Sequence, residues 1–358
     1  MPDNVDAIRW RIEEVDNHIL DLIGQRMHLA KQMGQFKVGR SMPIRNLRVE
    51  DQVIARFVSR AKEAEISEGA AKRIAMLLIH ESVDAQMRIP KAPDAKRITV
   101  IGGSGKMGNW LCKFFAERGH KVMVHDIASS TLFPFENDLR RAVSGADVIV
   151  IATPIGRTPD MLERVLSLKP KGVVFDVTSI KAPLLPLLKK AAQKGVKVCS
   201  VHPMFGPDTH MLLEKNIVFC DCGSKAGLKE TKALFESTGA NLREIKVEEH
   251  DAIMAYVLGL SHAINIAFFA ALAKSGRSYR ELSALSSTTF SKQECTAKAV
   301  ASENPELYYE IQHVNPHTQE VLDLLVRSVE EVRQAATEQE SEHFVKVMEQ
   351  GRQYFGGE

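Results

Sequence analysis

Cysteine is scarce in this chain. Five occur in 358 residues, dispersed at Cys112, Cys199, Cys220, Cys222 and Cys295. An odd, scattered set in a chain this long excludes a disulfide framework and points to reduced thiols in the cytoplasm. Cys220-Asp221-Cys222 has the closeness of a metal pair, but no second pair accompanies it. Alternation along a strand puts both thiols on one face anyway, so no metal is expected. Long apolar runs are also missing. No stretch reaches the roughly 18 uninterrupted residues of a membrane span. The longest, Ile264 to Leu272, is interrupted by Asn265 and bounded by His262 and Lys274, and reads as a core helix. No apolar leader with a small-residue cleavage site opens the sequence, so secretion is not expected. Nor is there excess charge of one sign. The formal net charge is +2, which gives no footprint for nucleic acid.

What remains is a globular composition, 44% hydrophobic, in a chain too long for one core. Residues 1–90 read as all helix. Ile8, Ile12, Val15, Ile19, Leu22, Ile23 and Met27 recur every three or four residues along a first helix reaching past Lys37. Gly39–Pro43 breaks it, and helices over Leu47–Ala64 and Ser67–Met87 follow. One very long member among three helices predicts an intertwined helical dimer. Ile89–Ala95, with two prolines and no periodicity, marks a boundary. Residues 97–247 then alternate strands and helices. Arg97–Ile101, Lys121–Asp126, Ala146–Ala152, Gly172–Thr178, Val196–Val201 and Asn216–Cys220 read as buried strands. That rhythm predicts an α/β, Rossmann-type parallel sheet flanked by two all-α domains. From 248 to 358 only helical segments remain, beginning with one long helix over Glu248–Ser275.

Two constellations carry chemistry. Gly103-x-Gly105-x-x-Gly108 follows a β-branched strand and opens a helix, and Asp126 ends the next strand 23 residues after Gly103. The glycines allow a tight turn, close approach of a pyrophosphate, and close helix–strand packing. The helix N-terminus offers free N–H groups to phosphate. A carboxylate at Asp126 would accept from a ribose hydroxyl and repel an extra phosphate, which favours NAD over NADP. The second is His202-Pro-Met-Phe-Gly-Pro207, a histidine at a strand's C-terminal tip, on the rim where open α/β sheets bind ligands. A dinucleotide site beside a fixed imidazole predicts a dehydrogenase that takes up a hydroxyl proton as hydride leaves.

With Ala152-Thr-Pro-Ile155, Asp176-Val-Thr-Ser-Ile-Lys181, His202-Pro-Met-Phe-Gly-Pro-Asp208, Glu249-His-Asp251 and Asn304-Pro-Glu-Leu-Tyr308, the chain resembles prephenate dehydrogenase. Its N-terminal segment extends the likeness to the bifunctional chorismate mutase/prephenate dehydrogenases of tyrosine biosynthesis. The resemblance implies an N-terminal mutase domain, a C-terminal dimerisation domain and a homodimer. It also implies NAD-dependent oxidative decarboxylation of prephenate to 4-hydroxyphenylpyruvate. His202 and Ser179 would then act at the substrate hydroxyl. Gly103, Gly105, Lys106, Met107, Gly108, Asp126, Thr153 and Pro154 would hold the cofactor. His262 would belong to the active site, and Asp251 and Lys292 to substrate binding. Asp251 and His262 lie 11 residues apart, which on a regular helix returns to within about 20° of one face. One departure stands out. Family members often read Ser-Pro-x-Tyr-Arg in the helical domain, with arginine gripping a substrate carboxylate. Here Thr288 and Ser291 take the proline and arginine positions, and Lys292 lies one residue on. Prephenate and arogenate both stay open on this evidence.

In the mutase segment the resemblance implies a pocket of Arg26, Lys37, Glu50, Ser82 and Gln86 around chorismate, with Arg9 supplied by the partner subunit. The reaction is a pericyclic rearrangement, so cations and donors should converge on a dianion and its ether oxygen. Arg26 and Lys37, 11 residues apart, share one helix face, whereas Arg9 points about 100° away. Two family positions differ, an aspartate being Asn46 and an arginine Val49, with Arg48 beside it. The alternatives are a monofunctional prephenate or arogenate dehydrogenase with an inert dimerisation arm, and a non-enzymatic NAD sensor. Ser179 and His202 argue against the sensor, which needs no proton acceptor at the nicotinamide rim. No C-terminal βαββαβ regulatory module is visible, so inhibition by tyrosine would act elsewhere, as in the dehydrogenase cleft.

Overall fold

The computed structural model describes residues 5–356 apart from 41, 43, 88, 90–94, 130–131 and 237. The expected boundaries at Gly39–Pro43 and Ile89–Ala95 therefore lie partly outside the described residues. The chain divides into two compact units. One holds the helical arm and the sheet; the other holds residues 246–358 together with Pro154–Gly156 and Ser179–Leu185. The sequence boundaries at 90 and 247 thus miss two short segments that leave the sheet and pack with the C-terminal helices.

The arm is α1 (Val5–Gly39), α2 (Leu47–Ala61) and α3 (Glu68–Met87). Asn46 caps α2, its side-chain oxygen accepting from Val49 N–H. Ile79, Val83 and Met87 of α3 bury a small core with Ile44 and Leu213, and Val38, Val53, Ile54 and Met211 pack around it. Gly34 sets the spacing of α1 from α3, since a Cβ there would meet the Gln86 side chain at 2.9 Å. Much of α1 is uncovered. Ile8, Ile12, Val15 and Ile19 are all exposed, a contiguous apolar stripe of the kind that marks an interface.

The sheet has the order β2-β1-β3-β4-β5-β6-β7, with β1 (Arg97–Ile101), β2 (Lys121–His125), β3 (Val148–Ile151), β4 (Val173–Asp176), β5 (Val198–Pro203), β6 (Asn216–Asp221) and β7 (Asn241–Lys246). Strands β1 to β5 pair in parallel, linked through α4 (Lys106–Glu117), α5 (Leu139–Val143), α6 (Thr158–Ser167) and α7 (Leu185–Gln193), and α8 (Lys225–Ala233) follows β6. The sheet is mostly parallel, as expected, and the exception is β6, which runs antiparallel to β5 with His202 opposite Val218. The reason lies in the connection. A loop without a helix joins β5 to β6, and parallel pairing requires a crossover. Strand β7 was not expected, because Asn241-Leu-Arg-Glu-Ile-Lys246 is a polar edge strand with little apolar signal. The sheet core gathers Phe114, Phe115, Phe219 and Phe235, whose rings stack or meet edge-on at 5.1–6.0 Å.

The second unit is helical: α9 (Val247–Met254), α10 (Ser261–Lys274), α11 (Tyr279–Ala284), α12 (Thr288–Ala301), α13 (Pro305–Val314), α14 (Thr318–Ala335) and α15 (Glu342–Gly356). A π-helical stretch, Ala255–Leu260, joins α9 to α10 into one rod. Gln312 donates to the Gly259 carbonyl there at 2.8 Å, meeting a backbone group that the widened turn sets free. Over Val247–Lys274 the rod is long and apolar enough to cross a membrane by length and composition, with mean hydropathy 1.7 in an 18-residue window. It also buries His250, Asp251, His262 and Asn265, and it leaves Ile253, Tyr256 and Val257 exposed. Ile155, Ile180 and Ile311, with Ala182, Leu258 and Val314, form this unit's core around the two inserted segments.

Phe235→Ala removes a ring that is 1% exposed at the centre of the aromatic cluster. It is expected to cost about 3–5 kcal/mol in urea unfolding followed by far-UV circular dichroism.

Candidate active sites

The glycine turn is shaped as a cradle. Gly102 sits at φ +83°, and a Cβ there would lie 2.5 Å from the Ala152 carbonyl oxygen. A Cβ on Gly103 would strike Val124 at 2.7 Å, and one on Gly108 would come within 2.0 Å of the Gly102 carbonyl oxygen. These glycines let the turn pack hard against β2, β3 and α4, and Gly105 is exposed at the helix start. Gly105 caps α4 without a side chain, leaving its first N–H groups open. Lys106 and Met107 begin the helix; Lys106 is exposed and Met107 packs on the sheet core. Asp126 ends β2 beside the turn, its carboxylate accepting from Ser104 N–H at 2.9 Å and Ile127 N–H at 2.7 Å. That places a carboxylate at the rim of the cradle, where a ribose would meet it. The Thr153 hydroxyl lies 2.8 Å from that of Thr158, and Pro154 opens the segment that joins the helical unit. Gly102 was not singled out from the sequence, although a glycine between strand and fingerprint was the available signal.

His202 is buried near the end of β5, followed by Pro203 and the loop over 204–215. Phe205 of this loop packs at 5.1 Å on Trp110, whose indole N–H donates to the Thr209 carbonyl at 2.7 Å. Ser179 is half-buried just past β4. Before it, Asp176 accepts from the Thr178 N–H at 3.0 Å and hydroxyl at 2.7 Å, closing the turn at the strand end.

Within the helical unit, Asp251 has a defined task. Its carboxylate accepts from Lys181 N–H at 2.9 Å, Ala182 N–H at 2.6 Å and His250 Nδ1 at 2.7 Å. Burial alone would raise this carboxyl, but the hydrogen bonds from His250, Lys181 and Ala182 outweigh it and hold it below the usual range. Asn315 donates to the Asp251 carbonyl at 2.8 Å, fixing the backbone as well. Asp251 thus grips the loop carrying Ser179. His262 stacks on Tyr308 with ring centroids 4.1 Å apart, and burial lowers its basicity. The helical-wheel estimate for Asp251 and His262 does not carry over, because the π stretch between them holds more residues per turn than 3.6. Lys292 is exposed on α12, while the Ser291 hydroxyl lies 2.8 Å from that of Ser286. His250, Tyr308 and Asn315 gain roles that the sequence did not assign. His250 and Tyr308 lay inside recognised motifs; Asn315 carried no signal.

A second pocket lies in the arm. Arg26 donates to the Leu78 carbonyl at 2.5 Å and to the Ser82 hydroxyl. Lys37 Nζ donates to the Ile44 carbonyl at 2.5 Å and to Gln86 Oε1 at 3.0 Å. Burial lowers Arg26, aided by the nearby Arg56 charge. Burial also lowers Lys37, opposed by Glu50. Four of the five expected residues therefore pair across α1 and α3, and Glu50 of α2 acts on Lys37 through its charge. Glu50 itself is gripped by Arg45 through two nitrogens at 3.0–3.2 Å, a partner the sequence reading missed because their five-residue spacing fits no helical rule. Arg9 lies apart. It is exposed on α1, 3.4 Å from Asp6, and 17 residues from Arg26, about 26 Å along the helix. Val49 is exposed and Asn46 is used as the cap, so neither fills the family's charged positions. Among the described residues, no group of three His, Cys, Asp or Glu side chains could hold a metal ion.

Comparison with known proteins finds matches over three regions. The type II chorismate mutase family matches residues 8–87, the nucleotide-binding domain of prephenate dehydrogenase matches 121–244, and its dimerization domain matches 246–350. The T-protein of Haemophilus influenzae is 24% identical over 361 residues, covering 98% of this chain and 92% of that protein. The T-protein of Enterobacter agglomerans is 28% identical, covering 85% and 80%. A probable arogenate/prephenate dehydrogenase of Methanocaldococcus jannaschii is 26% identical over 73% of this chain, which spans 61% of that relative's length. In fold, the crystal structure of prephenate dehydrogenase from A. aeolicus in complex with hydroxyphenyl propionate and NAD+ superposes with TM-score 0.59 at 18% identity. It covers 74% of this chain and all of that one.

Removing the Asp251 charge is expected to destabilise the helical unit. Asp251→Asn removes the charge and replaces one acceptor oxygen with an NH2 donor facing a backbone N–H, at a cost of roughly 3–5 kcal/mol. The folded carboxyl titrates below the unfolded one, so its stabilisation is complete above about pH 4 and is lost as pH falls through the folded value. Denaturant midpoints measured from neutral to acid pH should converge for wild type and variant. Parallel curves would reject this role.

Proposed function

From a chain that belongs to the prephenate dehydrogenase family and carries a type II chorismate mutase segment, we infer one polypeptide that performs two consecutive steps of tyrosine biosynthesis. It rearranges chorismate to prephenate, then oxidatively decarboxylates prephenate to 4-hydroxyphenylpyruvate with NAD. The observation that carries the first step is the convergence of Arg26, Lys37, Ser82 and Gln86 across α1 and α3. No nucleophile is required there. Lys37 donates to the ether oxygen as its bond to carbon breaks, and Arg26 holds a substrate carboxylate. Partial burial strengthens both cations by removing competing water. Glu50 accepts from the substrate hydroxyl. The uncovered stripe of α1 supports a homodimer in which Arg9 reaches the partner's pocket.

For the second step, Gly103, Gly105 and Gly108 admit the pyrophosphate, and Asp126 takes the adenosine ribose, with Lys106, Met107, Thr153 and Pro154 around the dinucleotide. NAD supplies the hydride acceptor when bound. His202 accepts the proton of the substrate's ring hydroxyl, a task suited to the free ring nitrogen of a neutral imidazole. Ser179 hydrogen-bonds the same hydroxyl. As hydride leaves, the ring carboxylate departs as carbon dioxide, its bonding pair completes the aromatic ring, and the proton held by His202 returns to the phenolate oxygen. Asp251 serves as a positioning residue for the Ser179 loop. His262, held neutral by burial, and Lys292 face the substrate side chain. The buried and exposed free thiols support a reducing, cytoplasmic setting. The altered positions Asn46 and Val49 favour a second reading, in which the arm only dimerises.

A paired assay separates the two readings: chorismate alone, then prephenate with NAD or NADP. Prephenate formation without cofactor is expected, and its absence would leave only the dehydrogenase. Lys37→Ala should remove the rearrangement and spare prephenate oxidation. His202→Asn should lower dehydrogenase kcat by about 10²–10⁴ while NAD affinity holds; retained turnover would reject His202 as the proton acceptor. Asp126→Ser should narrow the preference for NAD over NADP in kcat/KM.

A further inference from the structure

The loop that leaves β5 after His202 belongs to both halves of the first unit. At its start it is pinned to the nucleotide domain by Phe205, Trp110 and Thr209. At its end, Met211 and Leu213 are packed in the core of the helical arm. Glu214 follows, with φ +64°, a left-handed backbone that suits glycine or asparagine. It is held in that conformation. Its N–H donates to the Gly239 carbonyl at 3.1 Å, and its carbonyl accepts from the Asn241 side chain at 3.2 Å. What a glutamate adds at such a position is its carboxylate. That group lies 3.6 Å from the Arg45 guanidinium and 3.9 Å from the His80 ring, reaching two separate elements of the arm. Arg45 in turn clasps Glu50. Released from Arg45, the Glu50 carboxylate would be free to pair with the Lys37 ammonium, on which its charge already acts, and the pairing would occupy the cation that the rearrangement uses.

We propose that Arg45 and Glu214 are positioning residues of the mutase pocket: Arg45 holds the Glu50 carboxylate off Lys37, and Glu214, supplied by the nucleotide-binding domain, holds Arg45. The assignment rests on the mutase reading given above. It makes the dehydrogenase half a structural part of the mutase half, through the same loop that begins at the dehydrogenase histidine.

The test uses the full chain and chorismate. Glu214→Asn suits the left-handed backbone, so its thermal midpoint should equal or exceed that of wild type. Its mutase kcat/KM should still fall about threefold, the scale of a partly exposed ion pair. Arg45→Met should fall by roughly 30-fold or more, because it frees a half-buried carboxylate. In the Arg45→Met background, Glu214→Asn should have no further effect, and this non-additivity is what a merely structural role would not produce. Glu214→Gln provides the same comparison at constant size if the asparagine variant folds poorly, and unchanged NAD affinity certifies the fold. Full mutase activity in both Glu214 variants overturns the assignment, as do additive effects of the two substitutions. If the wild-type chain does not rearrange chorismate at all, the mutase reading itself fails instead.

Discussion

A single carboxylate organises the helical unit. Asp251 takes three hydrogen bonds, two of them from backbone N–H groups of the loop that follows β4. A buried ionised group is costly unless every lone pair is engaged, so the loop and α9 hold one another in place. Ser179 sits on that loop two residues before the first donor. Its position therefore follows from a helix more than 70 residues further along the chain. The isoleucine core of Ile155, Ile180 and Ile311 closes around the same segment. The segment Ser179–Leu185 is thus held within the helical unit by one side chain.

The two sites are built by opposite means. In the nucleotide cradle, side chains are excluded: Gly102, Gly103 and Gly108 let strand, turn and helix pack closely, and the start of α4 has no side-chain cap. In the arm, backbone is incidental and long polar side chains do the work. Gly34 appears there too, but its part is to let α1 approach α3 so that Lys37 reaches Gln86. A cradle of this sort tolerates sequence change outside its glycines. A side-chain pocket depends on each member, and on neighbours such as Arg45 that keep charges apart.

Much of this architecture was legible in the sequence. The three- and four-residue spacing from Ile8 to Met27 marks α1, and the β-branched runs at Arg97, Ala146 and Gly172 mark strands, because burial on one face or on two leaves a periodic signature. The cradle and His202 were legible because strained turns demand glycine and proline. Strand β7 was not, since an edge strand buries too little to leave an apolar pattern. The reversal at β6 depends on a connection rather than on the strand's own residues. Arg45 and Glu214 meet across 169 positions, beyond any local rule. The helical wheel misplaced His262 relative to Asp251 for a similar reason, as nothing in Ala255–Leu260 announces a wider turn.

That wider turn has a consequence for how such a rod can change. A helix in which one stretch already carries surplus residues can lose or gain a residue there without breaking its neighbours. Everything beyond the edit then rotates by about 100° as a rigid piece. Between Asp251, committed to its loop, and His262, stacked on Tyr308, the number of residues acts as an angular setting. Insertion and deletion at Ala255–Leu260, more than substitution, would be the route by which descendants of this chain re-aim one histidine while leaving the anchored end untouched.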